Sequence, residues 1–186
     1  MTAPKTNPKT IEFFFDFGSP TTYLAHTQLP RLARETGAVL QYKPMLLGGV
    51  FKATGNASPV TIPAKGKWLL ADLARTARKD GVPLGYPPGF PVNTLALMRA
   101  AIGLQMRKPA RFAPFVDAMF DAIFGAPRDM RDEKVIGETL AAAGFAPAEI
   151  LALAADAEVK QALIKNTEEA VARGVFGAPT FFVGED

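Results

Sequence analysis

The fold of this chain is decided by a stretch in which a strand runs directly into a helix: EFFFDFGSPTTY, residues 12–23. Four aromatic side chains within five residues, followed by Gly18, indicate a short buried strand. Pro20 suits the first turn of a helix, where its missing N–H group loses no hydrogen bond. Ser19 therefore lies at the junction as the predicted N-cap. A serine in a Ser-Pro pair usually only caps its helix, so that interpretation stays open beside a functional one.

Two neighbouring segments extend this junction into a strand–helix–strand unit. Residues 20–35 carry apolar side chains at helical spacing, and residues 39–45 alternate and are partly β-branched or aromatic. The strand predicted over residues 11–17 and this second strand should then lie in one sheet, joined by a right-handed crossover. Ligands of such units bind beyond the carboxyl ends of the strands, where Ser19 lies.

The rest of the chain is predicted to be mostly helical. A short helix over residues 46–54 precedes a loop, residues 55–63, that is rich in turn-forming residues. Further helices are predicted over residues 63–80, 93–107, 109–124, 132–143, 147–155 and 157–173. A final aromatic strand follows Pro179. The pattern therefore predicts an α/β core that is interrupted by a large helical insertion.

Composition and charge exclude several classes of function. The 186 residues carry 21 basic and 18 acidic side chains, which are scattered rather than clustered, so nucleic-acid binding is not indicated. The chain has no cysteine, and therefore no disulfide, no thiolate zinc site and no cysteine nucleophile of its own. No apolar run approaches a membrane span, and residues 1–10 do not resemble a secretory signal. We predict a cytoplasmic protein without membrane or nucleic-acid partners, whose thiol chemistry must use a borrowed sulfur.

An ordered set of motifs connects the chain to a known family. The motifs are DFGSP at residues 16–20 with YL at 23–24, LLGGVFK at 46–52, GN at 55–56, PAKG at 63–66, FPVN at 90–93 and GVFGAPT at 174–180. Together they resemble the 2-hydroxychromene-2-carboxylate isomerase family, which has a DsbA-like thioredoxin fold and is related to kappa-class glutathione transferases. The resemblance implies an α/β, thioredoxin-like fold of the DsbA/kappa type, with a βαβ core, a large all-helical insertion and a C-terminal return to the sheet.

The resemblance also suggests how the chain is divided. We expect a flexible tail over residues 1–10, a thioredoxin-like βαβ part over 11–62, a helical insertion over 63–156 and a return to the thioredoxin-like part over 157–186. The family carries one more strand and a final helix after the strand that we end at Val183. We therefore expect the sequence to stop short of these elements and of the ligand contacts that they hold.

The position of Ser19 in this family points to its chemistry. In the wider superfamily this position is commonly a reactive cysteine, Thr22 matches the second cysteine, and the proline matching Pro179 is commonly cis and faces the site. Since both cysteine positions carry hydroxyl residues here, disulfide exchange is excluded.

Ligand contacts are likewise implied by the resemblance. The expected glutathione contacts are Ser19, Asn56, Lys65, Ala178 and Pro179. The expected contacts of an aromatic carboxylate substrate are Lys52 and Asn93, and no metal ligands are expected. Without the resemblance, a lysine at a helix start such as Lys65 would be interpreted as a solvated side chain. Candidates for the apolar walls, although aromatics at such spacing are usually core, are Phe51, Trp68, Tyr86 and Phe90.

The Ser19 hydroxyl has two candidate roles. A conventional serine nucleophile needs a base within hydrogen-bond reach, but His26, the only histidine, lies about 10 Å further along a continuous helix. We therefore predict no catalytic part for His26. Instead, Ser19 as the catalytic residue would donate a hydrogen bond to a bound thiolate at the helix N-terminus and lower the pKa of that thiol.

The resulting hypothesis is a glutathione-dependent cis-trans isomerase that converts 2-hydroxychromene-2-carboxylate to trans-o-hydroxybenzylidenepyruvate. The resemblance implies transient thiolate addition, rotation and elimination, with no metal and no redox change. Two alternatives remain: a kappa-like glutathione transferase or peroxidase, and a non-catalytic binding module in which Ser19 is only a cap. Family relatives are commonly homodimers, so a homodimer is expected.

Overall fold

A three-stranded mixed sheet forms the centre of the protein, whose structure, a computed structural model, describes residues 8–184. The strands are β1 (Thr10–Phe15), β2 (Val39–Pro44) and β3 (Thr180–Val183), in the spatial order β2-β1-β3. β1 pairs with β2 in parallel and with β3 antiparallel. Helix α1 (Pro20–Thr36) connects the two parallel strands, so the predicted βαβ unit is confirmed.

Within residues 8–184, seven further α-helices follow α1. They are α2 (Leu47–Thr54), α3 (Pro63–Asp80), α4 (Leu95–Arg107), α5 (Pro109–Phe120), α6 (Glu133–Ala142), α7 (Pro147–Ala155) and α8 (Ala157–Ala172). The loop predicted over residues 55–63 contains one 3-10 turn, Pro59–Thr61.

The helix predicted over residues 109–124 is wrong in its last turn. α5 ends at Phe120, and residues Asp121–Gly125 form a wider π-helical turn, in which the N–H of Ala126 donates to the Asp121 carbonyl over 2.8 Å. This turn buries Ile123 and Phe124 completely, and the Phe124 ring packs on Tyr23. Burial of these two side chains stabilises a turn that the helical spacing alone does not predict.

Strand β1 is buried on both faces, which explains its unbroken run of aromatic residues. Phe13 and Phe15 point into the larger core, whereas Phe14 points to a smaller core that contains Met45 and Val50. All three phenylalanines have no exposed surface. The strand that we predicted to reach residue 17 ends at Phe15, and the next four residues form the turn into α1.

Helix α4 is the central element of the inserted helices and packs against α5, α7 and α8. Met98, Ala100, Ala101 and Leu104 on this helix are fully buried. A boundary of the insertion at residues 62 and 156 remains a proposal.

Two predictions concern the ends of the chain and membrane segments. The predicted tail lies outside the described residues, apart from residues 8–10, of which Thr10 begins β1; residues 185 and 186 also lie outside them. Within residues 8–184, no single helix is long and apolar enough to cross a membrane, although α6 and α7 together, bent by 114°, meet the length and composition.

Candidate active site at the start of helix α1

The Ser19 hydroxyl connects the start of α1 to the segment that leads into β3. Ser19 is the N-cap of α1, and its Oγ accepts a hydrogen bond from the Thr22 N–H over 3.2 Å. The same Oγ donates to the carbonyl of Ala178 over 3.0 Å. Ser19 is only 6% exposed. The predicted cap is therefore confirmed, and the bond to Ala178 adds a contact that a cap does not require.

A buried carboxylate holds the turn that carries Ser19. Asp16 is 1% exposed, and its Oδ1 accepts from the Gly18 N–H (2.8 Å) and from the Thr94 hydroxyl (2.6 Å). Its Oδ2 accepts from the Leu47 N–H, the first amide of α2, over 2.7 Å. Burial raises the pKa of Asp16, and these three hydrogen bonds oppose that rise. Asp16 thus joins the Ser19 turn, the start of α2 and the N-cap residue of α4.

Above this turn lies a cleft of about 640 Å³, a volume typical of small-ligand sites. Its walls come from the Ser19 turn, the first turns of α2, the loop before α3, the segment before α4 and the segment before β3. The side chains and backbone that the argument uses are Ser19, Phe51, Asn56, Phe90, Asn93 and Ala178. The lining is mostly apolar, so an ion pair or hydrogen bond formed inside is less screened than in water.

Two cis peptide bonds lie in the cleft region. The Ala178–Pro179 bond is cis, as the resemblance implies, and the Phe90–Pro91 bond is cis as well, which was not predicted. Asn56 connects this region to the loop before α3, since its Nδ2 donates to the Phe176 carbonyl over 2.7 Å. Its Oδ1 accepts from the Ala57 N–H.

The structure brings four of the predicted site residues together, since Ser19, Asn56, Asn93 and Ala178 all line the cleft. Asn93 lies just before the N-cap residue of α4, and its Oδ1 accepts a hydrogen bond from the Leu95 N–H over 3.0 Å. Among the predicted walls, Phe51 and Phe90 line the cleft.

Three other predicted contacts lie elsewhere. Pro179 follows Ala178 but is not part of the lining. Lys65 lies in an adjoining depression, next to Trp68, that shares Pro59 and Leu69 with the cleft. Lys52 lines a separate groove on another face of α2.

His26 is held away from Ser19. Its Nδ1 is 2.9 Å from the Tyr42 hydroxyl, and its Nε2 is 2.8 Å from a carboxylate oxygen of Asp117. Its ring stacks on Phe120. Both ring nitrogens therefore have partners that are not part of the cleft, in agreement with the spacing argument.

Sequence reasoning missed the polar support beneath the cleft. The one local signal for Asp16 is a single carboxylate inside a run of aromatic residues, which needs buried donors. Those donors lie 31 and 78 residues further along the chain, at Leu47 and Thr94. Thr22, at the second-cysteine position, is fully buried, and its Oγ1 has no hydrogen-bond partner within the described part of the chain.

Comparison with known proteins places this site in a family context. The family model of the DSBA-like thioredoxin domain matches residues 10–186. The 2-hydroxychromene-2-carboxylate isomerase of Sphingobium xenophagum is 34% identical over 179 residues, covering 95% of this chain and 90% of the relative. Glutathione S-transferase kappa 1 of Caenorhabditis elegans is 28% identical over 176 residues, covering 91% of this chain and 78% of the relative.

A solved structure agrees in fold. The structure of a selenomethionine-labelled 2-hydroxychromene-2-carboxylate isomerase superposes with a TM-score of 0.81 at 29% identity. The match covers 95% of this chain and 86% of that chain. The similarity in fold therefore extends over nearly the whole of this chain.

Proposed function

Because the chain belongs to the DSBA-like thioredoxin family, and within it to the 2-hydroxychromene-2-carboxylate isomerase group, we propose that it is a glutathione-dependent cis-trans isomerase. The relatives support an isomerase activity. The proposed reaction converts 2-hydroxychromene-2-carboxylate to trans-o-hydroxybenzylidenepyruvate, with Ser19 stabilising the glutathione thiolate.

One observation carries the proposal: a buried serine hydroxyl at a helix N-terminus, facing a cleft, in a chain without cysteine. The first turn of α1 contains no acidic residue that would compete with an anion there. The partial positive charge of the helix N-terminus favours an anion at that place. Ser19 can add one O–H donor without providing a second thiol.

The bond between Ser19 and Ala178 suggests how a thiol ligand would fit. The hydroxyl has a single proton, which it donates to the Ala178 carbonyl. A peptide N–H of glutathione, placed against that carbonyl as the resemblance implies, would replace Ser19 as the donor. The freed hydroxyl could then donate to the sulfur. The residues present thus fit a glutathione cysteinyl unit, and Ala178 and Pro179 are proposed as its backbone contacts.

The charged ends of glutathione need other partners. We propose Asn56 and Lys65 for them, Asn56 from within the cleft and Lys65 from the adjoining depression. Asn93 on the cleft wall is proposed for the substrate. Lys52, the other predicted substrate contact, lies outside this cleft and is considered in the next section.

In the proposed reaction, glutathione and the residues of the chain have separate roles. When bound, glutathione would supply a thiolate that adds to the opened, conjugated substrate, permits rotation about the former double bond and is eliminated again. Ser19 and the α1 N-terminus stabilise negative charge at the sulfur. Phe51 and Phe90 exclude water from the cleft, which strengthens those interactions.

A kappa-like glutathione transferase is the second candidate, favoured by the similarity to the Caenorhabditis elegans kappa enzyme. Such an enzyme would use the same thiolate to conjugate electrophiles. A cytoplasmic location, a homodimer and the absence of membrane and nucleic-acid partners stay predictions.

The test follows the ultraviolet spectrum of 2-hydroxychromene-2-carboxylate with the purified protein, with and without glutathione. We expect glutathione-dependent conversion and a loss of about 100-fold or more in kcat for Ser19→Ala, the effect of removing one preorganised donor. Loss of the cap should lower the free energy of unfolding by only about 1 kcal/mol.

Asp132→Ala is the matched control, because Asp132 caps α6 through the Lys134 N–H, outside the cleft. It should lose similar stability and no activity. Conversion without glutathione, or full activity of Ser19→Ala, would contradict the proposal. Glutathione binding without isomerisation, but with conjugation of an electrophile, would favour the transferase, and no turnover of either kind would favour a binding module.

A further inference from the structure

A second groove, of about 660 Å³, lies against another face of α2. It is formed by α2, α4 and α8, and it shares only Leu46 and Leu95 with the Ser19 cleft. Its volume lies within the range that is typical of small-ligand sites. Nothing in the proposed isomerase reaction uses this groove.

Helical spacing explains how three surfaces combine into the groove. On α8, the residues that line it recur every three or four positions: Lys160, Leu163, Ile164, Thr167, Glu168 and Val171. Leu95 and Arg99 are four residues apart on α4, and Lys52 lies on α2. Gly49 allows α2 to approach α8, since a Cβ atom there would lie 3.0 Å from the Thr167 methyl group.

Three cations surround this groove: Lys52, Arg99 and Lys160. None of them is within 4.0 Å of a carboxylate, and none makes a side-chain hydrogen bond, among residues 8–184. Arg99 and Lys160 are nevertheless half-buried. The single carboxylate in the lining, Glu168, is exposed.

The floor between these cations is apolar. Leu163 is 3% exposed, whereas Ile164 is 47% exposed although it lines the groove. A half-buried cation loses part of its hydration, and it gains most from an anion that brings its own charge into the groove. An exposed isoleucine beside it gains from apolar contact.

We propose that this groove binds a small amphipathic carboxylate, an anionic head group on an apolar aromatic or aliphatic body. Arg99 and Lys160 bind the head group, with Lys52 adding positive charge from α2. Leu95, Leu163 and Ile164 contact the apolar body. Lys52, which the resemblance assigned to the substrate, thus serves a carboxylate at a separate site, and the inference does not depend on the isomerase activity.

Methyl NMR tests this directly, with Ile164 as the reporter in the groove and Ile62 as a reporter outside it. The probes are 2-naphthoate and decanoate, with the neutral 2-naphthamide as control. We expect saturable shifts at Ile164 for a carboxylate and at least tenfold weaker binding of the amide. A tighter response to 2-naphthoate would identify an aromatic body, and a tighter response to decanoate an aliphatic one.

Variants separate this site from general charge effects. The double variant Arg99→Gln, Lys160→Gln should weaken binding at least tenfold, because both head-group partners are lost. Lys165→Gln removes an exposed charge from the same helix outside the groove and should change the affinity less than twofold. Unchanged melting temperatures show that the variants fold.

Four results would overturn the proposal. They are equal binding of the amide, unchanged affinity of the double variant, saturable shifts at Ile62 without shifts at Ile164, and a dimer in sedimentation whose interface covers Ile164. The last result would assign the groove to a second copy of the chain.

Discussion

The two depressions beside helix α2 have nearly equal volumes, about 640 and 660 Å³, but their polar groups are arranged in opposite ways. In the cleft, the Ser19 hydroxyl and the Asp16 carboxylate are buried and hydrogen-bonded to the protein. In the groove, Lys52, Arg99 and Lys160 have no protein partner among the described residues.

This difference indicates two kinds of site. A reaction needs donors that are held in place before the substrate arrives, because reorganisation during the reaction reduces their effect. Short side chains on a helix start and a tight turn meet that need. Long, flexible cations instead gain a fixed position only when an anion binds, which suits binding without chemistry.

The largest loss of stability is expected at Asp16, the buried carboxylate that distinguishes the cleft from the groove. In Asp16→Asn, an amide NH2 group replaces one of the two carboxylate oxygens. That group would face at least one of the three donors that bond to Asp16, so at least one buried donor would lose its acceptor. We expect the free energy of unfolding to fall by about 1–3 kcal/mol. Urea denaturation measures it. Glu133→Gln is the control, because Glu133 is exposed and its carboxylate has no hydrogen bond or ion pair among residues 8–184. Equal stabilities of Asp16→Asn and the wild type would show that the turn does not depend on the carboxylate.

A smaller effect is expected at Thr94, which gives Asp16 only one of its hydrogen bonds. Thr94→Val should lower the free energy of unfolding by about 1 kcal/mol. In a double-mutant cycle with Asp16→Ala, which removes the whole carboxylate, the two losses should not add, because the bond between Thr94 and Asp16 is lost in either variant. Additive losses would mean that the two residues act separately.

A cation at the C-terminal end of α8 can be compared with the unpaired cations of the groove through the pH dependence of stability. There Arg173 does have acidic partners, since its guanidinium donates to Glu12 over 2.7 Å. That hydrogen bond, with the charges of Arg173 and Lys43, holds the pKa of Glu12 below its ordinary value of 4.5, against the opposing effect of burial. The stabilisation is therefore complete above pH 4.5 and is lost as the pH falls through the lowered pKa.

Glu12→Gln should consequently be less stable than the wild type at neutral pH, and the two stability curves should converge in acid. Thermal unfolding from neutral pH to about pH 2 measures this difference. Parallel curves over the whole range would mean that the Glu12–Arg173 pair does not stabilise the fold.

The smallest effect is expected in the groove. Arg99→Gln removes a cation that has no protein partner, so stability should change by less than about 0.5 kcal/mol. Isomerisation should also be unchanged, and both are measured on one preparation. A large loss of stability would show that Arg99 has a structural partner and would weaken the contrast with the cleft.

The order of elements was predictable because local signals specify it. The aromatic run of β1, the Ser-Pro start of α1 and the prolines and capping residues of the later helices are all signals within a few residues. The π-helical turn after Phe120 was not predictable, because the contact between Phe124 and Tyr23, which lies about a hundred residues earlier in the chain, stabilises it.

The site was predictable only in part, for the same physical reason. Ser19 is identified by its neighbours in sequence, whereas the donors to Asp16 come from α2 and from the start of α4. Lys52 is the last residue of a motif that matches the family, but the groove that it lines depends on how α2 packs against α8. Similarity in sequence therefore makes Lys52 a candidate contact, but it does not determine which groove the side chain lines.

The most direct test of the central claim is the pKa of the thiol of bound glutathione, followed by the ultraviolet absorbance of the thiolate as the pH is varied. In the wild-type protein, we expect the thiol to ionise at a lower pH than in free glutathione, and in Ser19→Ala close to the free value. An equally lowered pKa in both proteins would contradict the role assigned to Ser19, and a thiol that ionises in the wild type as it does in solution would contradict the thiolate site itself.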